Sequence, residues 1–129
     1  SSGVKGFTTI HAGSARQALT RLRFVCQLAD NDLPMSALNT LVSEAVDLVV
    51  HCARRPAGPV VTEVLAVEDL AGGADATQFT VTPLFTRDHP DAPLAWTGQL
   101  PVRLGRLLRA ADHDVRPLFE TLDHRSVPT

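Results

Sequence analysis

Lysine is nearly missing from this chain: Lys5 stands alone among basic residues that are otherwise all arginine. A P-loop needs a lysine within Gly-x-x-x-x-Gly-Lys-Ser/Thr to cradle a triphosphate. The stretch around Lys5, from Gly3 to Gly6, is too short and lacks the following hydroxyl residue. The chain therefore has no Walker A loop of its own. Cysteine is also sparse. Cys26 and Cys52 lie far apart, each in an apolar run, which predicts buried free thiols rather than a disulfide framework. His51 beside Cys52 does not make a metal pair, because adjacent strand residues point to opposite faces. No apolar run approaches the roughly eighteen residues of a membrane span, and the opening residues do not read as a signal peptide. A soluble globular chain is expected. The formal net charge of −2 leaves no basic field, so nucleic acid is not an expected partner.

What is present fits one α/β domain of 129 residues with a modest core. Phe7-Thr8-Thr9-Ile10-His11 is β-rich and predicts a strand. Ser14 then reads as a helix N-cap with Gln17 completing a capping box. The helix should run to about Asp30, with Ala18, Leu19, Leu22, Val25, Cys26 and Ala29 on its apolar face and Arg16, Arg21 and Arg23 off it. Pro34 suits the first turn of a second helix, whose stripe is Ala37, Leu38, Leu41, Val42, Ala45 and Val46. Leu48 to Ala53 reads as a buried strand. Val60 to Leu70 and Phe79 to Arg87 complete an antiparallel meander, with turns at Arg54–Pro59 and at Gly72-Gly73-Ala74-Asp75. Pro83 predicts an edge or a bulge. Helical spacing returns from Val102 to Ala111, and Pro117 begins a last turn through Phe119 and Leu122.

The run Thr8-Thr9-Ile10-His11-Ala12-Gly13-Ser14-Ala15-Arg16-Gln17-Ala18-Leu19-Thr20-Arg21-Leu22 carries the chemistry. A histidine at a strand's C-terminal edge, just before a helix N-terminus, sits where ligands collect in α/β sheets. Free N–H groups and the positive dipole end favour an anion there. Such a histidine can donate to a phosphate oxygen and let go when that oxygen leaves.

This run resembles the His box of the type II and type IV secretion ATPase superfamily, Ser/Thr-Thr-x-His-Ala-Asn-Ser-x-Arg-Glu-Ala-Leu-x-Arg-Leu. His11, Ala12, Ser14, Arg16, Ala18, Leu19, Arg21 and Leu22 match, while Gly13 replaces the asparagine and Gln17 the glutamate. Leu33-Pro34, then Ala45-Val46-Asp47-Leu48-Val49-Val50-His51 and Val61-Thr62-Glu63-Val64, are similar to the Tad (Flp pilus) branch in the same order. The similarity covers Val4 to about Phe85 and is weak beyond Trp96.

The resemblance implies that residues 1–88 are the C-terminal part of a RecA-like ATPase core and 89–129 a helical tail. It implies His11 as the residue that senses the nucleotide's γ-phosphate, with Thr9, Arg16 and Arg21 as nucleotide or subunit contacts. ATP and Mg2+ would be the cofactors of a parent protein. This chain, lacking Walker A, Asp box and Walker B, would bind neither independently and would be inactive alone. The implied partners are the missing N-terminal part of the core, further copies in a homo-hexamer and an inner-membrane platform protein; the implied place is the cytoplasmic face of that membrane.

Other readings of these residues are more ordinary. His11, Ser14 and Asp30 do not make a hydrolase triad, since no Gly-x-Ser-x-Gly elbow frames the serine. Ser14 reads as a helix cap, Arg16 and Arg21 as solvated charges, and His51 as a strand histidine with a satisfied partner. Trp96 and Phe119 read either as a cover for the open side of the meander or as apolar surface that docks a missing domain or another subunit. Arg103, Arg106 and Arg109 read as a solvated helix face. A non-enzymatic module that packs on a complete ATPase is the alternative function.

Overall fold

The computed structural model describes residues 6–72 and 78–125. Its elements run α1 (Ala15–Ala29), α2 (Met35–Ala45), β1 (Leu48–Arg55), β2 (Gly58–Val67), β3 (Val81–Thr86), β4 (Ala95–Trp96), α3 (Val102–Ala110) and α4 (Arg116–Arg125). The strands form one antiparallel sheet in the order β1-β2-β3-β4. The fold is mixed α/β, as expected, with β4 added to the three-stranded meander. The turn read at Gly72-Gly73-Ala74-Asp75 falls largely outside the described residues.

Local chemistry explains most boundaries. Ser14 Oγ accepts from the Gln17 amide at 3.1 Å and starts α1. Pro34 precedes α2 as its cap residue. Pro56 and Ala57 turn β1 into β2, and Gly58 beyond them takes a left-handed φ of 124° that a side chain would strain. Pro83 lies beside a bulge: Val64 pairs with Phe85 and Leu65 with Pro83, so Leu84 is the extra residue.

The core lies between the helices and one sheet face. Leu19, Val42, Val67 and Phe79 are buried together, with Leu22, Cys26, Val46, Val49, Leu70 and Val81 packed around them. Phe119 covers Trp96 and Phe85, with ring centroids 5.3 and 6.3 Å away. The expected cover over the meander is thus observed. The 89–93 loop is tied down by Arg87, which donates to Val61 O and Ala92 O.

Several expectations need correction. Phe7–His11 is not a strand; it pairs with nothing among the described residues. A strand needs a neighbour for its backbone groups, and none is offered here. On α1, Val25 is 48% exposed and Ala29 is exposed. Arg23 instead turns inward, donating to buried Asn39 at 2.8 Å and lying over the Phe79 ring. The buried side of α2 is Leu38, Asn39, Val42 and Ser43, while Leu41 stays exposed. β1 is the sheet's edge, not a strand buried on both faces: Leu48, Val50, Cys52 and Arg54 face outward. Both cysteines are free, but Cys52 is exposed.

Arg103 is the largest departure. It is 7% exposed. Its guanidinium donates to Ser43 O, to Val46 O at 2.7 Å and to Asp47 Oδ1 at 3.4 Å, closing the C-terminus of α2. The reciprocal tie is Glu68, also buried, which accepts from the Val102 and Arg103 amides at 3.1 and 2.8 Å. Pro101 provides no side-chain cap to α3, and Glu68 takes that role from afar. Arg106 is exposed as expected and pairs with Asp69 at 3.1 Å.

Burial pushes the Glu68 carboxyl up, but donation from Thr82, Arg103 and Val102 and the Arg103 charge together outweigh it and hold it below the ordinary 4.5. A depressed carboxyl contributes stability that is present above its unfolded value and lost as pH falls through the folded one. Stability should therefore drop as pH is lowered below 4.5, and Glu68→Gln should flatten that drop in urea titrations across acid pH. Arg103→Ala should cost about 3 kcal/mol at neutral pH, because it leaves buried acceptors unpaired. Arg103→Lys should recover little of this, since an ammonium cannot fork between several carbonyls.

Candidate functional site

The β1–β2 hairpin places a cross-strand pair, His51 opposite Glu63, on the face that packs against α1. His51 pairs with Glu63 and Cys52 with Val61, so Thr62 is the extra residue of a bulge. In a regular strand Thr62 and Glu63 would point to opposite faces. The bulge lets both reach the same neighbourhood. His51 Nδ1 lies 2.6 Å from Thr62 Oγ1, and that hydroxyl is also 3.1 Å from the His51 carbonyl. His51 Nε2 lies 3.1 Å from Ala12 O. A carbonyl only accepts, so Nε2 carries a proton there. The expectation that His51 is a satisfied strand histidine holds.

Glu63 completes the other side. Its Oε1 accepts from the Ala15 amide at 2.6 Å, the first residue of α1. The α1 N-terminus, expected to offer free N–H groups to an anion, already receives a carboxylate from the chain itself. Gln17 N–H goes to Ser14 Oγ, and Gly13 N–H goes to Gln17 Oε1 at 2.5 Å. The capping box is thus shifted by one residue: the side chain of Gln17 reaches Gly13 instead of the cap residue.

The two departures from the His-box pattern touch each other. A Cβ on Gly13 would stand 2.7 Å from Gln17 Oε1, closer than real contacts allow. A side chain at position 13 would therefore displace Gln17 from its bond.

The predicted site residues separate into groups. Thr9 and His11 are exposed and make no hydrogen bond or ion pair among the described residues. Arg16 is exposed and donates to Phe79 O at 3.0 Å, which ties α1 to the residues before β3. Arg21 is exposed and has no polar partner among the described residues. Arg16 joins Gly13, Ser14, Gln17 and Thr20 around an open depression at the start of α1. Thr9, His11 and Arg21 do not line it. From there, helical spacing carries an exposed stripe through Gln17, Arg21, Phe24 and Leu28.

His51, Thr62 and Glu63 were the residues that sequence reasoning left without a role. The available signal was a polar side chain inside an apolar run, His51 after Val49-Val50 and Glu63 between Val61 and Leu65. Their contact with the turn at Ala12 depends on the bulge, which periodicity does not reveal.

Gly13→Ala should lower stability by about 1 kcal/mol, the worth of one exposed-side hydrogen bond. In a Gln17→Ala background the same change should cost nothing. A double-mutant cycle by thermal unfolding measures the coupling.

No family model matches the chain, and a search of curated proteins finds no match. The likeness to secretion ATPases thus stands on the residues of the His box and the two strand motifs.

Proposed function

We propose that this chain is the C-terminal part of a RecA-like motor ATPase core of the Flp-pilus or type II/IV secretion class, with His11 as its nucleotide sensor. The observation that carries this reading is an open seam around His11. The imidazole is exposed and unpartnered, on a segment whose backbone finds no neighbour among the described residues, directly before a capped helix. Beside that segment are further unfinished surfaces. Phe7 is wholly exposed, and Phe24 and Leu28 on α1 are 57% and 70% exposed. Among the described residues β1 has no strand on its outer edge, and Leu48 and Val50 are exposed on it. Long apolar edges of this kind invite another strand. A preceding half-domain that supplies strands beside β1 and residues 7–11, and packs on α1, would cover them together. ATP and Mg2+ would then bind to that half, with His11 reaching the γ-phosphate from this side. Arg16 and Arg21 on the exposed side of α1 suit contact with a neighbouring subunit of a homo-hexamer.

A second reading has its own observation. Glu63 already places a negative charge at the first amide of α1, and this disfavours a phosphate at that amide. A non-hydrolysing paralogue that packs on a complete ATPase through the same seam accommodates this without any nucleotide contact.

If the chain is the C-terminal part of such a core, the reading frame upstream of this sequence should encode a P-loop and a Walker B carboxylate. The 129-residue chain should show no ATP hydrolysis above background, and turnover by the pure chain would overturn the account. In the longer protein His11→Ala should lower kcat by about tenfold or more while nucleotide Kd stays within about threefold. Unchanged kcat removes His11 from the mechanism, whereas absence of any turnover by the longer protein leaves the non-hydrolysing module.

The seam has a chemical readout as well. Cys52 on the outer side of β1 should react rapidly with a maleimide in the isolated chain, faster than half-buried Cys26. In the longer protein it should be protected, as measured by mass spectrometry of the labelled peptides.

A further inference from the structure

His11 makes no hydrogen bond or ion pair among the described residues, yet the residues that follow it are anchored at two places. Ala12 O is held by His51 Nε2 at 3.1 Å, and Ala15 N–H by Glu63 Oε1 at 2.6 Å. Both anchors come from one cross-strand pair of the β1–β2 hairpin. Thr62, the bulged residue, lies 2.6 Å from the other ring nitrogen of His51. Among the described residues no other side chain of the sheet bonds to residues 6–15.

We propose that His51, Thr62 and Glu63 are positioning residues: together they form a cradle that sets where His11 stands. This rests on the reading of His11 as the nucleotide sensor and adds to it. The sheet, not the exposed segment, determines the sensor's place. Glu63 fixes the helix start, His51 fixes the carbonyl next to His11, and Thr62 fixes the orientation of the His51 ring. Because each residue of β1 from Leu48 to Arg55 has a partner on β2, with Thr62 as the one bulged residue, a shift of the turn acts on both strands through these two bonds. The cradle also explains why acid and imidazole occur within otherwise apolar strands. Both are consumed by backbone groups of the turn, whose orphan donor and acceptor they satisfy.

The test has one arm on this chain and one on the longer protein. In the 129-residue chain, amide hydrogen exchange is followed by NMR. The Ala15 amide should exchange at least about tenfold faster in Glu63→Met, which keeps the stem and removes the acceptor. It should return close to the original rate in Glu63→Gln, which keeps an acceptor oxygen. The amides of Val64 and Ala66 serve as controls for an intact sheet. If Glu63→Met does not fold, Thr62→Val and His51→Gln supply the comparison: the valine should speed exchange around Ala12 to Ala15, and the glutamine, which retains an N–H near the Nε2 position, should not. Unchanged Ala15 exchange on loss of the acceptor overturns the cradle.

In the longer protein, Glu63→Met and His51→Ala should each lower kcat as His11→Ala does, with KM for ATP within about threefold, and should add little to His11→Ala in double variants. Glu63→Gln should restore turnover. If His11→Ala lowers kcat while the cradle variants leave it at the starting value, the positioning role is overturned and the sensor stands. If His11→Ala has no effect, the sensor reading fails, and the exchange result alone decides whether the cradle holds the turn.

Discussion

The starts of α1 and α3 and the end of α2 receive charged side chains from distant parts of the chain, and the structure depends on these ties. α2 and α3 begin at prolines that supply no side-chain cap, and α1 has no acid in its first turn. Glu63 in β2 and Glu68 just after it meet the first amides of α1 and α3. Arg103, near the start of α3, in turn closes the end of α2. Orphan backbone groups at helix ends are costly when left dry. Partial charges at the termini also favour a carboxylate at the start and a guanidinium at the end. One strand and its following residue therefore hold the starts of α1 and α3, and α3 in turn closes the end of α2 through Arg103.

This arrangement also explains the shape of the candidate site. The residues from Ala12 to Ser14 are held on the sheet side by His51 and Glu63, and within α1 by Gln17 and Ser14. What lies before them is left open. Thr9 and His11 are presented outward on a segment without partners, beside exposed apolar surface on α1 and along β1. A firmly held turn thus stands next to an exposed segment and exposed apolar surface.

Much of the fold was legible because its causes are local. Ser14 with Gln17 marked the start of α1, Pro34 the start of α2, Arg54 to Pro59 the hairpin turn, and Pro83 the bulge. Each of these acts through the backbone within a few residues. The failures share a different cause. Phe7–His11 has strand composition, but a strand exists only when a neighbour takes up its hydrogen bonds. Leu48 to Ala53 has the composition of a doubly covered strand, yet nothing among the described residues covers its outer side. Arg103 looked like one of several solvated arginines, because nothing in its own helix tells that carbonyls of α2 wait at its tip. Asn39 and Arg23 follow the same pattern: each is polar in its own helix, and their bond joins α1 to α2.

By itself, then, the amino-acid order determined the type and approximate extent of the helices and of the hairpin strands, the turns between them and the His-box likeness, since these follow from side-chain volume, backbone preference and periodicity along the chain. Only the tertiary structure decided that Glu63, Thr62 and His51 grip the turn beside His11, that Glu68 and Arg103 exchange helix caps, and that one seam stays open. Those outcomes join residues tens of positions apart, and hydrogen bonds at such separations have no signature in the order of residues until the chain has folded.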